Sequence, residues 1–166
     1  ISSFAGNDII SGARGDDTLI GGSGNDSYYY LRGDGNDTIT EGPNEGADTL
    51  GFLDINPGKV SLARDGNDVT LVIADTAPGA GDGGSVVLKS SLDEWYGQGI
   101  DQIRFADGTA WTRADLRTML LAQVTTAGDD TITGFNTGDT ITGGHGTDTL
   151  AGADGNDTYV YARGDG

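Results

Sequence analysis

The sequence predicts an all-β protein: a parallel β-roll, or solenoid, in two blocks, with a β-hairpin region between them and one short capping helix. Three observations predict it. A nine-residue register, Gly-Gly-x-Gly-x-Asp-x-apolar-x, recurs in phase in two separate stretches. Within that register an aspartate is followed two residues later by an apolar residue, nine times over. Between the stretches the register stops, and apolar strand patterns, turn signals and a helix start take its place. A short fixed period builds a solenoid, in which each repeat buries its apolar face on its neighbours and no large globular core is needed.

The clearest copies are Gly21-Gly22-Ser23-Gly24-Asn25-Asp26-Ser27-Tyr28-Tyr29 and Gly143-Gly144-His145-Gly146-Thr147-Asp148-Thr149-Leu150-Ala151. Each unit divides its work: the glycines permit a tight turn, and the last three residues form a short strand whose apolar member points inward. The aspartate is left to supply a hard oxygen ligand, and the glycine-rich nonapeptide with one aspartate is the signature of a calcium-binding parallel β-helix.

The first block runs from Ser3. Ser3–Ser11, Gly12–Ile20 and Gly21–Tyr29 are contiguous, Tyr30 and Leu31 read as an insertion, and Arg32–Thr40 resumes the phase. A looser unit ends in Gly46-Ala47-Asp48-Thr49-Leu50. The second block holds Thr125–Thr133, Gly134–Thr142, Gly143–Ala151 and Gly152–Val160. The division is therefore 3–51 for the first block, 52–124 for the intervening region and 125–166 for the second. Candidate ligands are Asp8, Asp17, Asp26, Asp37 and Asp48, then Asp130, Asp139, Asp148 and Asp157. The inward positions hold Ile10, Leu19, Tyr28, Ile39 and Leu50, then Ile132, Ile141, Leu150 and Tyr159. Gly24–Gly35 is echoed by Gly155–Gly166, so the chain is expected to be a piece of a longer tandem array.

In the intervening region Val60–Ala63 and Val69–Ile73 read as strands joined by a hairpin turn at Arg64–Asp68. Asp68 follows a repeat-like Asp-Gly-Asn, but strands flank it directly, so it is not counted as a ligand. Ala74–Gly84 is a polar loop, and Val86–Leu88 is a further strand. Ile103–Phe105 and Ala110–Trp111 suggest a second hairpin. Thr112 then caps a helix of about 112–123, with Asp115 in its first turn and Leu116, Met119, Leu120 and Val124 as its apolar stripe. An open solenoid end needs a seal. Trp95, Tyr96, Phe105, Trp111 and this helix are the candidates. Trp95 and Tyr96 also suit stacking on a sugar, with packing favoured because aromatic residues are otherwise sparse.

Nine basic against 26 acidic residues give a net charge of −17, and only Glu41, Glu45 and Glu94 among the acids are glutamates. That charge argues against nucleic acid and anionic membrane surfaces as direct partners. The absence of cysteine excludes disulfides and thiolate metal sites. No apolar run is long enough to span a membrane, and no signal peptide opens the chain.

These repeats resemble the RTX (repeats-in-toxin) family of secreted bacterial proteins. Ile103–Trp111, with the Gly-Asp-Gly-Asn-Asp-Thr-Ile run at Gly33–Ile39, is similar to the haemolysin-type calcium-binding related module found between RTX blocks. The resemblance implies a right-handed parallel β-roll with two nonapeptides per coil and calcium between the turns of repeats n and n+2. It pairs Asp8 with Asp26, Asp17 with Asp37 if Tyr30-Leu31 bulges out, Asp26 with Asp48, Asp130 with Asp148, and Asp139 with Asp157. That makes roughly five full Ca²⁺ sites. Calcium takes six to eight oxygens. Turn carbonyls must add to the aspartates, with Gly22, Gly24, Gly144 and Gly146 as second-tier candidates. Phe4, Ala13, Phe135 and Ala153 depart from the pattern at the second glycine, and Thr137 at the third.

The resemblance also implies type I secretion from a Gram-negative bacterium, with residence outside the cell or at its surface. The expected function is that of a calcium-triggered folding module, structural or binding, whose partners are calcium, neighbouring repeats of the same parent chain and the secretion machinery. No catalytic residue or organic cofactor is expected: His145, the one histidine, sits at a variable turn position without a nucleophile beside it. The alternatives are part of a secreted polysaccharide-acting enzyme, or a cell-surface adhesin repeat. Arg32-Gly33-Asp34 and Arg163-Gly164-Asp165 spell an adhesive tripeptide, but the repeat phase already explains both. Whether the parent is a toxin, adhesin, surface layer or hydrolase is left open.

Overall fold

Each Asp-x-apolar step of the repeat becomes a short strand. The structure, a computed structural model, describes residues 1–43 and 45–165. The first block forms β1 (Ile9–Ile10), β2 (Thr18–Ile20), β3 (Ser27–Tyr30), β4 (Asn36–Thr40) and β5 (Thr49–Phe52). The intervening region forms β6 (Val60–Asp65), β7 (Asp68–Ile73), β8 (Gly84–Leu88), β9 (Gln102–Arg104), β10 (Ala110–Thr112) and α1 (Arg113–Val124). The second block forms β11 (Thr131–Thr133), β12 (Thr140–Thr142), β13 (Thr149–Ala151) and β14 (Thr158–Val160). Among the described residues the chain is thus mostly β, with one α-helix and no closed barrel.

The glycine-rich turns send consecutive strands to different sheets, so each pairs with the strand two units away. β1, β3 and β5 run parallel with Ile10, Tyr28 and Leu50 in register. β2 and β4 run parallel with Leu19 opposite Ile39. In the second block β11 pairs with β13 and β12 with β14, again parallel. Ile10, Leu19, Tyr28, Ile39, Leu50, Ile132 and Ile141 are all buried. Tyr159, expected to point inward, is instead 52% exposed. Among the described residues β14 is an edge strand that nothing covers, and the Tyr159 hydroxyl accepts the Gly152 amide.

The sheets continue into the intervening region and become mixed, not uniformly parallel as expected. Their orders are β1-β3-β5-β9-β10 and β2-β4-β8-β7-β6. β8 runs parallel to β4, and β9 parallel to β5, as further repeats would. β7 and β6, and likewise β10, then join antiparallel. Tight hairpin connections permit only antiparallel pairing, and these strands are reached by hairpins.

Tyr30 does not bulge out. It extends β3 opposite Phe52, is buried, and its hydroxyl donates to the Gly35 carbonyl. Leu31 opens the turn, its amide donating to Asp34, and the Thr18–Thr38 register survives. Tyr30 also starts an aromatic row: its ring meets Phe52 edge-on at 5.7 Å, Phe52 stacks on Phe105 at 5.4 Å, and Phe105 meets half-buried Trp111 edge-on at 4.5 Å.

α1 lies beside this row. Thr112 and Asp115 form a reciprocal capping box at its start. Leu116, Leu120 and Leu121 are its buried apolar residues, with Met119 half-buried. Val124, expected in that stripe, is exposed at the last turn, and Leu121 takes its place. Trp95 and Tyr96 are not part of the seal. They are 68% and 59% exposed, in a surface turn that points them away from the core.

Candidate metal centre

Stacked turns bring the repeat aspartates into columns. In the first block Asp26 accepts the Asp8 amide at 2.7 Å, and Asp48 accepts the Asp26 amide at 2.8 Å. On the other edge Asp37 accepts the Asp17 amide at 3.0 Å. In the second block Asp148 accepts from Asp130 at 2.9 Å, and Asp157 from Asp139 at 3.0 Å. All five expected pairs therefore face each other across adjacent turns. One oxygen of each carboxylate makes the interturn bond. In Asp26, Asp148 and Asp157 the other lies over the first glycine of its own unit: a Cβ on Gly21, Gly143 or Gly152 would collide with it.

The third glycine fixes how closely the turns stack. Gly24 has φ of +134°, and any Cβ there would fall on the Gly6 carbonyl oxygen of the turn before. Gly22 faces the Phe4 carbonyl, Gly144 that of Thr126 and Gly146 that of Gly128 in the same manner. These glycines set the spacing of the turns, and backbone carbonyls of neighbouring turns crowd onto them.

Sequence reading missed three sets of polar residues. Asp101 extends the first column, accepting the Asp48 amide at 2.8 Å. Asp101-Gln102-Ile103 is itself an Asp-x-apolar step, and Gly97 and Gly99 precede it at the second and third glycine positions of the repeat, a signal by which it could have been found. A second ladder runs one residue earlier, from Asn7 to the Asn25 amide and from Asn25 to that of Ala47, with Asp16 and Asp129 accepting likewise from Asn36 and Thr147. The third is Glu41, which no repeat position predicts. It is buried against Asp26 and Asp48, and carboxylate oxygens of the three lie within 4.8 Å of one another. Asp68 lies apart from the columns, paired with Lys89 and accepting the Ser90 amide.

The charge in these columns is not compensated from within. Burial pushes Asp37 up to about 6, with Asp17, Asp34 and Asp16 adding to it against the Asp17 amide bond. Asp48 is raised by burial and by Asp26 and Asp101. Burial pushes Glu41 up to about 7, despite the Tyr28 hydroxyl that donates to it. Two like charges at 4–5 Å repel by roughly 3–4 kcal/mol at an effective dielectric of about 20. Asp26 Oδ2 is buried with no hydrogen-bond partner.

Arginines stand only at column ends. Arg113, buried in the first turn of α1, pairs with Asp101 at 2.9 Å and donates to the Gly99 and Ile100 carbonyls. Arg64 of β6 reaches the second block, donating to the carbonyls of Thr133 at 2.8 Å and Gly134 at 2.9 Å. Its guanidinium lies 3.9 Å over the Phe135 ring, near Asp139. Phe135 replaces a turn glycine and is buried in this contact.

Residues 3–39 and 124–159 match the RTX calcium-binding nonapeptide repeat (4 copies), and residues 71–115 match the haemolysin-type calcium binding protein related domain. The chain belongs to the RTX family. No curated protein matches it. The RTX repeats make the chain a calcium-binding module, and its donor set fits the ion. Every candidate ligand offers a hard oxygen, as calcium prefers, and a buried orphan oxygen such as Asp26 Oδ2 is what a cation would satisfy. The related domain supplies β7, β8, β9 and β10 and the capping residues of α1. It therefore extends both sheets of the first RTX block.

Proposed function

We propose that the chain is a calcium-triggered folding module of a large secreted RTX-type bacterial protein: a parallel β-roll in two blocks, 3–51 and 125–166, joined and sealed by 52–124. Calcium ions sit between the paired aspartates of adjacent turns, with turn carbonyls completing each shell. The observation that carries this reading is the buried interior of the aspartate columns. Asp26, Asp37 and Asp48 are 1–3% exposed; the charges acting on Asp37 are other carboxylates, and those on Asp48 are Asp26 and Asp101 with Arg113 opposing them. Burial of such charge is unfavourable without a cation. Where calcium is scarce the columns repel and the chain stays extended, fit for threading through a type I secretion channel. Outside the cell calcium binds the folded form alone and draws the equilibrium to it. The role is structural rather than catalytic. His145 is exposed, and its ring contacts the Gly164 carbonyl and lies 4.0 Å from the Asp165 carboxylate.

The test is a calcium titration of the whole chain by far-ultraviolet circular dichroism. A cooperative gain of β-structure is expected with a midpoint of about 10⁻⁴–10⁻³ M, and magnesium should replace calcium poorly because it demands octahedral geometry. A spectrum identical in chelator and in several millimolar calcium would refute the proposal.

A further inference from the structure

The nonapeptide places two aspartates at each interturn site, but one site carries a third carboxylate that the repeat does not supply. Glu41 enters from the turn between β4 and β5, beyond the residues that match the repeat. It is 3% exposed and lies with Asp26 and Asp48 in the one group of at least three metal-competent side chains found among the described residues. Asp26 and Glu41 face the space over Gly21, with an Asp48 carboxylate oxygen within 4.8 Å of theirs. A Cβ built on Gly21 would collide with Asp26 Oδ2, Glu41 Oε1 and the Tyr28 hydroxyl together, so only glycine leaves that space open. Asp26 Oδ2 points there with no hydrogen-bond partner while its residue is 1% exposed. Glu41 is anchored by the Gly22 amide and the Tyr28 hydroxyl, which hold its carboxylate toward the two aspartates.

We propose that Asp26, Glu41 and Asp48 form a three-carboxylate calcium site, tighter than the two-aspartate sites elsewhere in the chain and the first to fill. The inference rests on the calcium reading above and adds to it a rank among the sites. An additional anionic ligand raises calcium affinity, and a pre-anchored ligand loses less freedom on binding. Neither block edge offers an equivalent. Asp8 and Asp17 begin their columns half-exposed, and the Asp101 end already holds the Arg113 guanidinium. Tyr28 gives the site a reporter, because its ring oxygen borders the space the ion would take.

Calorimetric titration of the whole chain with calcium tests the ranking, comparing the parent with Glu41→Gln and Asp157→Asn. The parent should show one site tighter than the rest by about tenfold or more. Glu41→Gln should lose that tight phase and keep the weaker ones, while Asp157→Asn should keep it. A tight phase that survives Glu41→Gln overturns the inference and leaves the calcium reading standing, whereas a parent that binds no calcium overturns both. Terbium gives a second measurement that does not need the Glu41 variant to fold. Its first equivalent should luminesce on tyrosine excitation in the parent and lose most of that emission in Tyr28→Phe, whose carboxylates are intact. Undiminished first-equivalent emission in Tyr28→Phe places the tightest ion elsewhere and overturns the inference.

Discussion

Restoring the repeat's second glycine should have opposite effects at different positions, because the backbone differs where the sequence deviates alike. Ala13 and Ala153 hold φ of +59° and +69°, the left-handed region the missing glycine would adopt freely. A residue with a Cβ there costs roughly 1–2 kcal/mol, and glycine returns about 0.5–1 kcal/mol of that as unfolded-state entropy. Ala13→Gly and Ala153→Gly should each stabilise the calcium-loaded chain by a few tenths to about 1 kcal/mol. Phe135 has no positive φ, so glycine relieves nothing there. Its ring is 2% exposed and lies beneath the Arg64 guanidinium. Removing a buried phenylalanine costs about 3–5 kcal/mol, and the loss of the cation–π contact is included in that figure. The assay is urea unfolding at saturating calcium, followed by circular dichroism and compared at constant slope. Phe135→Gly as stable as the parent, or either alanine variant clearly less stable, would refute the reasoning.

Three other perturbations follow from the columns and their ends. Asp26 bonds to the turns on both sides, so Asp26→Asn should raise the calcium midpoint of folding more than Asp8→Asn, which begins its column; equal midpoints count against the stacked arrangement. In chelator, acid should favour the fold. The folded values of Asp37 and Glu41, about 6 and about 7, lie above their ordinary ones, so the folded form holds more protons and loses stability as pH rises from about 4 to about 7. At about 1.4 kcal/mol per unit, each group contributes on the order of 3 kcal/mol. Circular dichroism at pH 5 and pH 7.5 without calcium should show more β-structure at the lower pH, and no difference would argue against buried, uncompensated carboxylates. Arg64→Met should cost about 2–4 kcal/mol through two hydrogen bonds and the ring contact, and should raise the calcium midpoint of a probe in the second block; an unchanged midpoint would mean the blocks load independently.

The aspartates and inward residues were legible because the repeat ties a fixed offset to each role. Asp26 and Tyr28, two residues apart, must fall on the turn and on the strand face whatever surrounds them. The intervening hairpins were equally readable from Asp-Gly turns between apolar strands. What sequence could not show is which elements share a sheet. β8 and β9 continue the parallel ladders, yet they are reached through long excursions that break the nine-residue phase linking them to β4 and β5. Asp101 lies far out of phase with the first block, although Gly97 and Gly99 stand before it as they would in a repeat. Trp95 was misjudged because large apolar residues were assumed to pack, whereas Phe105 and Trp111 already fill the seal. Glu41 was invisible because no repeat position carries it and only the tertiary fold brings its carboxylate back over Gly21.

The distribution of cations argues that the interior of the columns is meant to be filled reversibly. A permanent cation would be the simplest way to neutralise a buried carboxylate, and the chain uses one at two column ends, with Arg113 on Asp101 and Arg64 near Asp139. Both arginines come from the intervening region: Arg64 ties that region to the second block, and Arg113 holds Asp101, which continues the first column. An arginine beside Asp26 or Asp37 would remove the repulsion that, under the proposed function, keeps the fold from closing without calcium. The ends are fixed by the chain's own charge, where rigid joining serves the architecture. The interior is left anionic, which under the proposed function leaves folding to answer to calcium. Replacing an interior ligand pair by neutral residues should therefore weaken calcium control more than it weakens the fold itself, since one variant removes both the repulsion and its remedy.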